Sequence, residues 1–198
     1  MDLTTITPSA GALKALSHPG RLRMLSLLRM EGPATATTLA TRLGLNTGAT
    51  SYHLRQLAQH GFIEEDGERG NARDRWWRAV HQATRAVPGD AGDAESRAAL
   101  DAYLQTVAVI ETELLQRAVE ERGLLPDEWR DASEFSDAVL RLTPRRARAL
   151  VDALMTAIHE TPEDGEDGAD GEAAEFMLQL HAFPLPGRLA GATTEVSS

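Results

Sequence analysis

The sequence has no cysteine, which excludes disulfides, thiolate metal sites and cysteine nucleophiles. Among its 20 basic residues there is one lysine, Lys14, so its positive charge is almost wholly arginine charge. Aromatic residues make up only 5% of the chain. No apolar run approaches the ~18 residues that cross a bilayer. Residues 1–10 lack a charged segment followed by an apolar stretch, so no signal peptide is expected and a soluble cytoplasmic protein is the default. There is no phosphate-binding loop, dinucleotide fingerprint or nucleophile elbow. Carboxylate pairs such as Glu120-Glu121 and Asp164 with Asp167 fall on surfaces or loops, where both members stay ionised, so an enzyme is not expected. The six histidines are scattered without the i, i+4 spacing of a helical metal site, and neither metal nor cofactor is expected.

What is present is an uneven distribution of charge. The chain of 198 residues carries a net charge of −10. Residues 1–88 hold 11 basic and 7 acidic side chains, a net of +4, which leaves −14 for the remainder. A basic module that meets a polyanion, joined to an acidic module that does not, is the arrangement this points to.

The pattern predicts a mainly α chain with a small β component, built as an N-terminal winged helix-turn-helix (1–85), a C-terminal helical or α+β dimerisation and candidate effector domain (94–186), and a disordered tail (187–198). Helices are expected over 10–17 and 21–30, separated by His18-Pro19-Gly20. A third is capped by Thr35, with Leu39, Ala40 and Leu43 facing inward, and ends at Gly44. A fourth starts at Asn46 or Thr47 and runs to about His60, with Thr50, Leu54 and Leu57 inward. Runs at 62–65 and 75–80 read as a β-hairpin with a long polar tip. Residues 86–93 form a linker by composition. A long helix covers 95–122, with more apolar positions than one small domain would cover, and is the expected dimer element. A helical turn around Trp129, a strand at 139–142, a helix at 144–159, a mobile acidic loop at 161–174 and a strand at 175–185 complete the pattern. Trp129, Phe135, Leu142, Phe176, Leu180 and Phe183 are expected as core or, less simply, as the lining of an effector pocket.

A helix-turn-helix followed by a hairpin suits a duplex. The early residues of the second helix reach base edges in a major groove. Here these are Thr47, Gly48, Ser51, Tyr52 and Arg55, on the face opposite Thr50, Leu54 and Leu57. Arg55 can meet a guanine edge or a phosphate. Arg69 and Arg73 at the hairpin tip suit a minor groove, although Glu68 and Asp74 beside them repel phosphate. His53 reads as a packed, hydrogen-bonded histidine at the helix–wing junction rather than a base contact. Adjacent Trp76 and Trp77 must face opposite sides of a strand. Arg145, Arg146 and Arg148 read as a charge-paired surface in preference to a second nucleic-acid contact.

Leu16-Ser17-His18-Pro19-Gly20-Arg21-Leu22-Arg23-Met24-Leu25 resembles the opening helix pair of ArsR-type regulators. Thr50-Ser51-Tyr52-His53-Leu54-Arg55-Gln56-Leu57, with Gly61-Phe62-Ile63, is similar to that family's recognition helix and first wing strand, and 67–77 (GERGNARDRWW) to the arginine-bearing wing of its actinobacterial members. The resemblance covers about residues 10–80. It implies a homodimer that binds double-stranded DNA at a near-palindromic operator, as a repressor or an activator, repression being the expectation. Metal-sensing members carry a cysteine pair where this chain has Leu39-Ala40-Thr41-Arg42-Leu43, or Asp and His on a C-terminal helix where 95–122 has no histidine. Metal sensing by those routes is therefore not expected. The alternative is a winged helix that docks a protein and not DNA.

Overall fold

A computed structural model describes residues 3–69, 75–86, 92–164 and 173–189. These fall into two compact units, Met1–Ser136 and Asp137–Ser198.

The first unit opens with a short strand, β1 (Thr5–Ile6), and two helices, α1 (Ala10–Leu16) and α2 (Pro19–Met30). Ser9 caps α1 and the His18 side chain caps α2, accepting from the Gly20 N–H at 3.1 Å. Pro19 follows as the first residue of α2, where its missing N–H costs nothing. A two-residue strand, β2 (Ala34–Thr35), leads into α3 (Ala36–Leu43), and α4 (Thr47–Gln59) follows after three residues. Strands β3 (Ile63–Glu65) and β4 (Trp76–Ala79) pair antiparallel, and β2 adds to the far side of β4, giving the sheet order β2-β4-β3. The expected hairpin is thus present, with a third strand that the two-residue segment at 34–35 gave no pattern to announce. Residues 70–74 of its tip, Asp74 included, lie outside the described residues. A separate pair joins β1 to β5 (Ala83–Thr84) in parallel.

Leucines spaced three and four apart on α2, α3 and α4 converge on one core. Leu16, Met24, Leu25, Leu54, Leu57 and Phe62 are wholly buried in it. Trp77 is buried while Trp76 is half-exposed, as strand alternation requires. Arg29, on α2, reaches out of this core to the His81 carbonyl at 2.8 Å and the Thr84 hydroxyl at 2.9 Å. Burial pulls its pKa down to about 10, so it still carries its charge at neutral pH.

The long helix α5 (Ala94–Glu121) is capped by Asp93, whose carboxylate accepts from the Ser96 N–H at 2.7 Å. Its first three turns pack along α1, burying Ala99, Leu100 and Tyr103 in the same core. Burial there pushes the Tyr103 hydroxyl up to about 12. The boundary expected at the 86–93 linker therefore does not separate two bodies: the first compact unit continues through α5 and α6 (Asp127–Ala132) to Ser136. Composition marked the linker, of which 87–91 lie outside the described residues, but not that the helix after it returns to the core.

The described residues of the second unit hold one helix, α7 (Pro144–Glu160), started by Thr143 and Pro144 as expected. The strands expected at 139–142 and 175–185 are absent among the described residues, which show no β-α-β arrangement. Alternating side chains announce a strand but not a partner, and a strand without one leaves its backbone groups unpaired. Nor do the side chains expected as core pack into one: Phe176, Leu180 and Phe183 in this unit and Phe135 at the end of the first are exposed, and Trp129 and Leu142 are only half-buried. Residues 165–172 and 190–198, which include most of the acidic loop and the tail, lie outside the described residues.

Truncating Leu57, which has no solvent exposure, removes packing shared by α4 and the sheet. Leu57→Ala is expected to lower unfolding free energy by ~2–5 kcal/mol, read as a lower urea midpoint with an unchanged slope.

Candidate nucleic-acid interface

The turn between α3 and α4 sets how α4 is presented. Gly44 closes α3 with φ +64°, a left-handed conformation that a Cβ would strain. The Leu45 N–H donates to the Ala40 carbonyl at 2.9 Å, turning the chain back. Asn46 then caps α4, its side-chain oxygen accepting from the Ala49 N–H at 2.7 Å. Thr50 is fully buried, and its hydroxyl donates to the Asn46 carbonyl at 3.1 Å, so the one polar side chain in the core is satisfied.

With Thr50, Leu54 and Leu57 turned inward, the opposite face is left to solvent. Thr47, Gly48, Tyr52 and Arg55 are exposed and Ser51 is half-buried. The five candidates on α4 therefore share one face. At Gly48 the nearest atom to an added Cβ is the Asn46 cap oxygen, so nothing but the cap stands above this turn of the helix. Arg55 has no hydrogen bond or ion pair among the described residues. It is a charge held at the surface that no described residue neutralises.

The hairpin differs. Arg78 pairs with Glu64 at 2.5 Å, Arg75 with Glu65 at 3.2 Å, and Arg69 with Asp66 at 3.6 Å. The guanidinium of Arg75 also lies 5.8 Å from the Trp77 ring centre. The wing's described arginines are thus largely neutralised by acids on the same hairpin. Arg69 remains exposed, and an exposed pair of that length gives way at a cost of about 1 kcal/mol or less. Arg73, the second wing candidate, lies outside the described residues.

One feature at the back of α4 had no clear signal in the sequence. The His53 ring meets the His18 ring at 4.4 Å between centres, joining the N-terminus of α2 to the recognition helix. The Nδ1 atom of His53 is buried with no hydrogen-bond partner. His53 is therefore packed, as expected, but against another imidazole and without a hydrogen bond at that nitrogen. Burial lowers the pKa of both rings, and Arg21 lowers both further. The Tyr52 ring, 5.5 Å from His53, stands on the outer side.

Both imidazoles are thus held neutral in the fold below their ordinary value of 6.5. The unfolded chain binds more protons through that window, so stability is complete above it and falls as pH drops below it. The thermal midpoint is expected to fall between about pH 7.5 and about pH 5.5, and His53→Gln to reduce that fall. A His53→Gln profile identical to that of the unaltered chain would show that the pair is not responsible.

Residues 16–66 match the family described as a helix-turn-helix domain. The chain is 39% identical over 56 residues to the HTH-type transcriptional regulator YgaV of Escherichia coli, spanning 28% of this chain and 57% of that protein. It is 36% identical over 66 residues to the HTH-type transcriptional regulator NmtR of Mycobacterium tuberculosis, spanning 33% of this chain and 54% of that one. The chain therefore spans about half the length of the curated relatives it matches. A solved structure described as a possible transcriptional regulator for arsenical resistance aligns at 25% identity, covering 54% of this chain and 93% of that chain with a TM-score of 0.32. Matched segment, helix order and strand pairing agree: residues 16–66, with the strand that completes the hairpin, form a winged helix-turn-helix domain, similar over this stretch to the two HTH-type transcriptional regulators.

Proposed function

We propose that the chain is a sequence-specific DNA-binding transcriptional regulator. It acts as a homodimer on a near-palindromic operator, with α4 in the major groove and the wing at the minor groove. The observation that carries this reading is the face of α4: Thr47, Gly48, Ser51, Tyr52 and an unpaired Arg55 turned to solvent by a buried opposite face. The similarity to proteins described as HTH-type transcriptional regulators supports it. So does the surplus of positive charge in residues 1–88, since phosphate neutralisation supplies most non-specific affinity.

A dimer is what such a reader requires, because two recognition helices about 34–36 Å apart meet successive half-sites. The support for it is α5. Beyond the turns that bury Leu100 and Tyr103, this helix leaves Leu104, Leu115 and Val119 exposed. Occupancy of an operator that overlaps a promoter excludes polymerase, and repression is the outcome we assign.

The purified chain is expected to retard a duplex from its own upstream region, with affinity falling steeply as salt rises. Arg55→Ala is expected to weaken this binding about 5- to 150-fold, an effect of about 1–3 kcal/mol. If Arg55 meets a guanine, the variant loses preference at one base pair. If it meets a phosphate, the loss is uniform across sequences and the salt slope falls by about one. Undiminished binding by Arg55→Ala, or no retardation at low salt, overturns the reading.

A further inference from the structure

The helix α7 is amphipathic, yet none of its residues is buried. Ala147, Leu150, Leu154 and Ile158 fall on one stripe at helical spacing, and Leu150 and Leu154 are 41% and 42% exposed. Uncovered stripes of this kind do not name their partner. The charges on this helix do.

Arg145, Arg146 and Arg148 stand at its N-terminal end, and Glu160 closes its C-terminal end, with Asp164 just beyond. This order is the reverse of what a helix dipole favours: cations sit at the positive end and anions at the negative end. All five side chains are exposed, and none has an ion pair among the described residues. Alone, the helix gains nothing from these charges. Beside a copy of itself running the other way, it gains at both ends.

We infer that α7 is a self-association face, on which a second copy of this chain packs its own α7 antiparallel across a two-fold axis near Leu154. In that arrangement Arg145, Arg146 and Arg148 lie beside Glu160 and Asp164 of the partner subunit. The two stripes of Ala147, Leu150, Leu154 and Ile158 close on each other. The helix is about 25 Å long at 1.5 Å per residue, so both charge clusters meet their counterparts in one register. A duplex is a poorer occupant, because Glu160 and Asp164 on the same element repel phosphate and residues 89–198 carry −14. This face is separate from α5, and it needs from the proposed function only that a second copy is present.

The absence of cysteine makes the test direct. A disulfide forms only where two Cα atoms approach within about 7 Å. The full-length Leu154→Cys variant is expected to form a covalent dimer under mild oxidation. Ala147→Cys alone is expected to remain monomeric in the gel, and a mixture of Leu150→Cys and Ile158→Cys chains, which the axis places opposite each other, to cross-link. In the Leu154→Cys background, Arg146→Glu with Arg148→Glu is expected to slow cross-linking about tenfold, and adding Glu160→Arg with Asp164→Arg to restore it. Circular dichroism of each variant checks that the helices persist, and the mixture of Leu150→Cys and Ile158→Cys chains serves if Leu154→Cys is not folded. Failure of both Leu154→Cys and the Leu150→Cys with Ile158→Cys mixture to cross-link overturns the proposal, as does efficient self-cross-linking of Ala147→Cys, which would mean parallel helices. The retardation of operator duplex by the unaltered chain is read separately, so loss of one result does not imply loss of the other.

Discussion

Everything that α4 can do follows from which of its sides is dry. Thr50, Leu54 and Leu57 have no exposure at all, and they lock the helix against α2, α3 and the sheet through Leu25, Phe62 and Ile63. A helix fixed along one side has no freedom to rotate, so the direction of every other side chain is settled by the same packing. The backbone enters that helix by a route with little tolerance. Gly44 supplies a left-handed residue, Leu45 closes the turn, and Asn46 satisfies a first-turn N–H. The outer face of α4 is thus a by-product of core formation: the leucines choose the orientation and the polar residues inherit it.

Electrostatics divides the same domain into two kinds of arginine. Those on the hairpin, Arg75 and Arg78, are matched by Glu65 and Glu64 across the strands, and they stabilise the pairing more than they project a field. Arg29 is drawn inward as a structural cation that holds the 81–84 segment. Arg23, far along the chain from its partner, ties α2 to Glu113 on α5 at 2.6 Å. Arg55 is left as the cation on the outer face of α4 that no neighbour neutralises. Counting charges by segment finds the basic half of the chain, but the useful charge is much smaller than the count, because most of it is already engaged.

The N-terminal domain was largely legible because its signals are local. Periodic leucines, Thr35 and Asn46 as caps, Gly44 as a stop and the paired tryptophans each specify geometry within a few residues. What escaped reading depends on distant partners. The strand at 34–35 is defined by its neighbour Trp77 and not by its own two residues. The contact of His18 with His53 unites two helices across 35 positions, and no spacing rule announces it. Alternation at 175–185 was persuasive for the opposite reason. The local pattern is that of a strand, but a ladder needs a neighbour, and none lies among the described residues. The long helix was recognised as a helix and misplaced as a domain, because nothing in its own sequence says that Leu100 and Tyr103 lie against α1.

The pairing of β1 with β5 bears on how the chain passes into α5. Thr4 is bound to Gln82 through main chain and side chain, and Ile6 runs alongside Thr84, just before the chain leaves for α5. Incoming and outgoing segments are therefore clasped in the same direction. Together with the Arg29 anchor behind it, this clasp fixes where the chain departs from the sheet, so the start of α5 and the hairpin share one footing.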